Sequence, residues 1–240
     1  AEEHYGAIPA KGEAEPRIRP QEPPKRTARR LEMSDPRVAQ PRMIRTVLAA
    51  ERDPGAQEDA AALTVLAALL GGSSQTSYLA QQLTLPGTAL WAGASYDGLS
   101  LDRTEFMLSL VPAEGTPPEE AEAALDEALA QFLAEGPDEA DLERVKTRIR
   151  AEEIYSRDSA HGRAYDYGQG LSTSLTVQDV NDWPDILDAV TAEDVMAAAR
   201  DVLQAPAVTG WLLPAPAEAE AAATQEPAPA TPDEQTEVQG

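Results

Sequence analysis

The stretch from Asp59 to Asp97 constrains the fold more than any other part of this chain. It predicts a helix, a turn, a second helix and a strand in immediate succession. Gly71 and Gly72 come directly after the first helix, and glycine ends helices readily because it accepts a left-handed backbone at little cost. Apolar residues at helical spacing predict that this helix buries one broad face. They are Leu63, Leu66, Ala67 and Leu70.

Hydroxyl-bearing and alternating residues predict a second helix and a strand after the Gly-Gly turn. The turn is rich in serine and threonine, and we expect Ser77 or a residue just before it to cap the second helix. In that helix Tyr78, Leu79 and Leu83 are expected to face inward. Residues 89–96 then alternate between two sets of side chains, which is typical of a strand with two unlike faces.

Alternating patterns predict four further strands, at residues 29–33, 43–49, 104–111 and 208–213. In the strand at 43–49, one side carries Arg45 and the other, with Ile44 and Leu48, is expected to be the apolar one. The Asp-Gly pair at residues 97–98 suits a hairpin between two strands. Together these segments predict an α+β fold, with a mainly antiparallel sheet of five or six strands and helices on one face.

Capping and breaking residues predict the remaining helices. One begins at Pro117–Pro118, the next at Asp138, and a third after a cap box at Thr191. Residues 156–171 are expected to form a helix broken at Gly168 or Gly170. Residues 176–190 are expected to form one or two short helices interrupted at Trp183–Pro184.

Composition divides the chain into three parts. Residues 1–24 are rich in proline and charge and are predicted to be an extended linker. Residues 25–214 hold the α+β lobe. Residues 215–240 form an acidic, alanine- and proline-rich tail that we expect to be disordered. Because the chain does not begin with methionine, we expect a domain or processed fragment of a longer protein.

The net charge of −23 argues against nucleic acid or an anionic membrane surface as a partner. Eleven of the 19 basic residues lie at or before Arg52, so a basic arm precedes an acidic body. That arm either docks on an acidic surface or is a solvated linker. The absence of cysteine excludes disulfides and thiolate metal sites, and no apolar run is long enough to predict insertion into a membrane.

The order of these segments resembles the second, non-zinc half of the insulinase-type zinc metallopeptidases, which include pitrilysin and the mitochondrial processing peptidase. Family members carry a helix, a Gly-Gly turn, a short helix, a loop and a strand at this point. Three later segments, at 136–155, 190–195 and 208–214, also resemble the family, as does the linker start at 4–9. The matching residues of the central segment are Gly71, Gly72, Thr76, Ser77, Tyr78, Leu79 and the strand at 89–96.

The resemblance implies peptide hydrolysis inside a closed, two-lobed chamber, with this lobe as one wall. It implies that a peptide substrate pairs with an edge strand of this lobe. Small side chains let a peptide backbone approach closely, so the residues expected to bind substrate are consecutive in the strand. They are Ala92, Gly93, Ala94, Ser95 and Tyr96.

No residue of this chain is predicted to be catalytic or to bind metal. The family holds zinc on a His-x-x-Glu-His helix, whereas His4 and His161 lie far apart and neither has a histidine partner four residues away. We therefore expect zinc on a separate N-terminal lobe and no cofactor on this chain. A serine-hydrolase site at Ser73 or Ser74 would lack the Gly-x-Ser-x-Gly turn.

Many family members also provide an arginine and a tyrosine, seven residues apart, which reach the substrate from this lobe and stabilise the oxyanion. Thr84 and Trp91 occupy the matching positions. Threonine has no charge, and an indole N–H donates with a different geometry, so the lobe departs from the family pattern here.

Two other functions remain open from the sequence: a structural or assembly subunit without peptidase activity, and an unrelated acidic interaction domain. The expected partners are the N-terminal lobe, a sister subunit and a peptide. The substrate and the oligomeric state are not determined by the sequence. The resemblance to exported bacterial relatives favours the periplasm.

Overall fold

The computed structural model describes residues 2–8, 12, 23 and 26–215. Within them, five strands form one sheet: β1 (Arg29–Asp35), β2 (Arg42–Ala49), β3 (Ala89–Tyr96), β4 (Thr104–Pro112) and β5 (Val208–Pro214). Their order across the sheet is β1-β5-β2-β4-β3. Neighbouring strands are antiparallel, except that β1 and β5 are parallel. This confirms the predicted α+β class and the mainly antiparallel sheet.

Seven α-helices and one π-helical turn accompany the sheet in the described residues. They are α1 (Glu2–Tyr5), α2 (Glu58–Gly71), the π-helical turn (Ala80–Thr84), α3 (Pro118–Glu135), α4 (Glu139–Asp158), α5 (Ala160–Ser172), α6 (Val177–Ala189) and α7 (Ala192–Leu203). Caps fix several of the boundaries. Asp138 accepts hydrogen bonds from two N–H groups of α4, and Thr191 forms the predicted capping box with Asp194.

Helix α2 is the centre of the molecule. It packs on β3 and also contacts α4, α6 and α7. Its buried residues lie on every side of the helix, not only on the predicted face, because other helices cover the side that faces away from the sheet. The inward-facing side chains of the sheet complete the core, and they include Met43, Phe106, Leu110 and Trp211.

The side of β2 that carries Arg45 is the buried one, so the expected orientation of this strand is wrong. Met43, Val47 and Ala49 lie in the core, whereas Ile44 is exposed. Arg45 is tolerated on this side because carboxylates of α3 pair with it. Its guanidinium lies 2.9 Å from Glu122 and 2.5 Å from Asp126. The charged residue Arg45 therefore lies at the border of the face that points into the core, and not on the face that points to solvent.

Neither of the two predicted helix breaks is found at its expected place. Helix α5 runs through Gly168 and Gly170, and the break comes earlier, at Ser159, whose hydroxyl caps α5 by accepting from Gly162 N–H. Pro184 lies inside the continuous helix α6. It removes one backbone donor without ending the helix, since both flanking turns remain anchored by packing.

Most of the predicted linker, and the tail from residue 216, lie outside the described residues, so both assignments stay predictions. Seven of the eleven basic residues of the arm are described, and two of them, Arg30 and Arg45, pair with Glu122 of α3. None of the described helices has the length and apolar character needed to cross a membrane.

Candidate functional site

Strand β3 forms one edge of the sheet, and it contains all five residues predicted to bind substrate. It pairs with β4, with Gly93 opposite Ser109, and no described strand pairs with its other side. In an antiparallel ladder, alternate residues direct their N–H and C=O groups to opposite sides. Part of the backbone of β3 is therefore available for hydrogen bonds with another extended chain.

Gly71 explains how β3 is supported from behind. A Cβ atom on Gly71 would overlap the backbone nitrogen of Ala94, so the end of α2 lies directly against the strand. Gly72, the next residue, has φ −71°, and neither glycine adopts the left-handed conformation that the sequence suggested. The first glycine is thus required for close packing between helix and strand, not for the helix stop.

The outward face of β3 is covered in part by its own tryptophan. A Cβ atom on Gly93 would lie 2.8 Å from the six-membered ring of Trp91, so the indole extends over Gly93. Trp91 keeps 40% of its surface exposed, and Ser95 is exposed beside it. Ala92 points into the core. Gly93 is therefore shielded by an indole and not by a helix, so close packing of a helix on the strand does not explain its small size.

Tyr96 is committed to an internal hydrogen bond. Its hydroxyl donates to the carbonyl oxygen of Ala50 at 2.6 Å, just beyond the end of β2. Burial raises the pKa of Tyr96 above its ordinary value, and neighbouring acids such as Glu51 raise it further. The hydroxyl stays protonated and is turned inward, so what Tyr96 offers to a ligand is its backbone.

A family model for the Peptidase M16 inactive domain matches residues 1–149. The chain belongs to this family. The match confirms the resemblance to the non-zinc half of insulinase-type peptidases. A search of curated proteins finds no match.

Solved structures share the fold of this M16 inactive domain. A protease from Helicobacter pylori matches with a TM-score of 0.79 and 19% identity, over 89% of this chain and 50% of that one. An M16 inactive domain from Pseudomonas fluorescens matches with a TM-score of 0.66 and 21% identity, over 86% and 48%. The periplasmic protease PqqL from Escherichia coli matches with a TM-score of 0.59 and 18% identity, over 79% and 21%. This chain spans about half the length of the first two.

The two positions that correspond to the family arginine and tyrosine flank the loop before β3. Thr84 ends the π-helical turn, and its hydroxyl is buried without a hydrogen-bond partner in the described part of the chain. Trp91 lies in β3, with its indole over Gly93. Neither supplies a positive charge. The assignment of substrate contact to residues 92–96 stays a prediction for this M16 inactive domain.

The histidines of the domain do not converge. His4 lies on α1 and His161 on α5, and both are exposed. Among the described residues, no three histidine, cysteine, aspartate or glutamate side chains are grouped so that they could hold a metal ion. The donor set in this part of the chain does not fit zinc.

Proposed function

We propose that this domain is the non-zinc lobe of a two-lobed zinc peptidase. In this role it binds the backbone of a peptide substrate along β3 and closes the chamber, and it has no activity alone. Membership of the M16 peptidase family supports the peptidase context, and the description of the domain as inactive supports the absence of activity in this lobe alone. The half-length coverage of two neighbours supports a second lobe of similar size.

The observation that carries this proposal is the absence of charge on an open edge. Strand β3 reads ALWAGASY and has no charged residue. Natural proteins usually protect edge strands with charge, proline or bulges, because an unprotected edge pairs with other chains. The only irregularity of β3 is a register shift between Ala89 and Trp91, at its beginning. An unprotected edge is the geometry used to bind an extended peptide as an added strand.

The chemistry is divided between the lobes in this proposal. The zinc ion and the residue that activates its water belong to the other lobe. This lobe fixes the peptide backbone by main-chain hydrogen bonds, which position the scissile bond without regard to side-chain identity. Its partners are thus the zinc-bearing lobe and a peptide, and the name of the periplasmic neighbour supports the periplasm as its compartment.

A matched pair of serine variants tests peptide pairing. Ser95→Lys places a charge on exposed β3, and Ser34→Lys places the same charge on exposed β1. We expect only Ser95→Lys to weaken binding of an extended, uncharged peptide to this chain, by about tenfold, or ~1.4 kcal/mol. Binding is measured by backbone amide shifts in NMR. A peptide N-methylated at alternate residues serves as the control, since it cannot pair on one side. Equal binding of both peptides contradicts the proposal.

Metal analysis tests the division of labour. We expect this chain, stripped with chelator and reloaded with zinc, to retain no stoichiometric metal and to cleave no peptide. The complete two-lobed protein is expected to do both. One tightly held zinc per chain that disappears in His161→Ala would show that the metal assignment is wrong.

A second candidate function is an assembly subunit without peptidase activity. Thr84 and Trp91 favour it, because they replace the two donors that many active relatives provide. The two functions differ in one result. A complete two-lobed protein that assembles, binds no peptide at β3 and cleaves nothing would support the assembly role.

A further inference from the structure

One face of the sheet keeps large apolar side chains in contact with solvent. The helices pack on the opposite face, which carries Met43, Phe106 and Trp211. Side chains that alternate with these three point outward, and the strand register places the outward side chains of all five strands next to one another. The large apolar ones keep between 37% and 63% of their surface exposed. They are Leu31 and Met33 in β1, Leu212 in β5, Ile44 in β2 and Trp91 in β3.

This outward face has an uncharged centre and a charged border. The positions at its centre carry only uncharged side chains, such as Thr46 in β2 and Met107 in β4. An uncharged centre inside a polar rim is the usual composition of a protein–protein interface. The charged outward residues lie at or near the strand ends, and they are Arg29, Asp35, Arg42 and Glu105.

The outward face is large enough for a stable contact. Strands spaced ~4.8 Å apart and about seven residues long, with a rise of ~3.3 Å per residue, give a five-stranded face of roughly 500 Å². Exposed apolar patches of more than a few hundred Å² mark interaction sites. A partner that covers the face buries a similar area of its own, and the sum lies within the range of about 600–1,500 Å² that is typical between domains.

We infer that the other lobe of the two-lobed protein covers this outward face with an apolar surface of its own. The inference rests on the proposed function, from which the second lobe comes, and the half-length coverage of two neighbours supports a lobe of sufficient size. Trp91 and Ser95 belong both to the outward face and to the edge strand β3. A lobe that lies on this face is therefore adjacent to a peptide paired with β3, as a zinc site on that lobe requires.

Other occupants fit the outward face less well. Two copies of this chain would each bring a net charge of −23, which opposes their association. A single extended peptide beside β3 adds only ~4.8 Å to the width of the sheet and leaves the apolar side chains of β1, β5 and β2 in water. A second lobe has the size to cover all five strands at once.

Cysteine protection tests this contact, because the chain has no cysteine of its own. Met33→Cys and Ile44→Cys lie on the outward face, and Val177→Cys in α6 is the control, since 51% of Val177 is exposed. Each variant is made in this chain and in the complete two-lobed protein, and its rate of reaction with a maleimide is measured by mass spectrometry. We expect both outward cysteines to react at least tenfold more slowly in the complete protein, and the control to react equally in both. Equal rates for the outward cysteines overturn the inference.

The same rates identify a different occupant. Protection that appears in this chain alone as its concentration rises would show that a second copy covers the face, and would overturn the inference. Protection that appears only after an extended, uncharged peptide is added would overturn it as well. Neither peptide binding nor cleavage enters the readout in the complete protein. Pairing at β3 can therefore fail in the Ser95→Lys test while the lobe contact holds, and the reverse result is equally distinguishable.

A charge on the outward face provides a second measurement. Leu31→Asp leaves its carboxylate in water in this chain, since 63% of Leu31 is exposed, whereas a covering lobe would bury it without a partner. We expect the melting temperature to fall by at least ~3 °C more in the complete protein than in this chain. Val177→Asp is the control and should have the same effect in both. Equal losses from Leu31→Asp would contradict the inference, and if that variant of the complete protein does not fold, the cysteine rates decide.

Discussion

The two edges of the sheet are built in opposite ways. Strand β1 reads RRLEMSD, with four charged residues among seven, and proline comes directly after it. Arg30 pairs with Glu32 at 2.8 Å within the strand and with Glu122 of α3 at 2.7 Å. Strand β3, at the other edge, has no charge, and its support is apolar packing against the end of α2.

This contrast shows which edge is closed to other chains. Charges and a neighbouring proline discourage edge-to-edge pairing, so β1 is protected. Strand β3 has only uncharged residues and stays open, although it is as long as β2. The open edge depends on close contact between backbones, whereas the protected edge depends on ion pairs. Substitutions at each edge can therefore test these two kinds of dependence separately.

The largest effect is expected where α2 meets β3. Gly71→Ala places a Cβ atom against the backbone of Ala94, which cannot move without displacing the strand. We expect a loss of about 3 kcal/mol in the free energy of unfolding. Gly168→Ala in α5 is the control, since a Cβ atom there meets nothing within 4 Å, and it should raise stability by ~0.5–1 kcal/mol. Urea denaturation measures both. Equal stability of the two variants would show that the close approach is not needed.

The next effect concerns Glu122, which anchors the protected edge. Its carboxylate accepts from Arg30, from Arg45 and from the indole of Trp211, and 13% of its side chain is exposed. Glu122→Gln should lower stability by about 2 kcal/mol in urea denaturation, because a largely buried Arg45 loses its charged partner. Glu127→Gln on the exposed side of α3 should change it by less than ~0.5 kcal/mol. Equal losses in both variants would show that the ion pairs of Glu122 do not anchor this edge.

The same residue predicts a dependence on pH. Burial alone would raise the pKa of Glu122, but hydrogen bonds from Arg30, Trp211 and Arg45 outweigh it and lower the pKa below 4.5. A carboxyl whose pKa is lower in the folded state stabilises the fold above its unfolded pKa, and this stability is lost as pH falls through the folded pKa. The difference in stability between the native chain and Glu122→Gln should therefore shrink below pH ~4.5. A constant difference down to pH ~3 would contradict this assignment.

The smallest effect is expected on the outward face of the sheet. Gly93→Ala must displace the ring of Trp91, whereas Gly210→Ala in β5 meets only a carbonyl oxygen at 3.9 Å. We expect Gly210→Ala to raise stability by ~0.4–1 kcal/mol through a stiffer unfolded chain. Gly93→Ala should gain nothing and should shift the fluorescence of Trp91 to longer wavelength. An unchanged spectrum would show that the indole does not rest on Gly93.

Local sequence signals predict much of this fold. The α+β class, the strands at both ends of the lobe and the caps at Asp138 and Thr191 are predictable from periodicity and side-chain chemistry within a few residues. The position of residues 89–96 at an edge is expected from the family resemblance, and the small side chains alone do not decide it. The family match covers residues 1–149, which include the central segment from which the resemblance is drawn.

Features that depend on distant contacts are not predictable in this way. In the sequence Gly71 looks like a residue that ends a helix. In the structure glycine is needed there because a Cβ atom would overlap the backbone of Ala94 in β3. The unbroken course of α6 through Pro184 depends on its surroundings and not on its sequence. Arg52 gives no signal either, because its burial and its contact with Trp183 join segments more than a hundred residues apart. From the sequence, Arg52 could have been noticed only by asking whether a single basic residue is buried.

The position of β5 between β1 and β2 has a consequence for the order of assembly. Strands β3 and β4 are joined by a short loop, and β2 reaches β4 after a moderate separation, so these three can pair while the chain is still being made. Strand β1 emerges first but has no neighbour until β5, the last described strand, is inserted beside β2. The uncharged edge at β3 is therefore complete early, and the charged edge at β1 is complete last. During synthesis the molecule passes through an interval in which β2 is also an open edge.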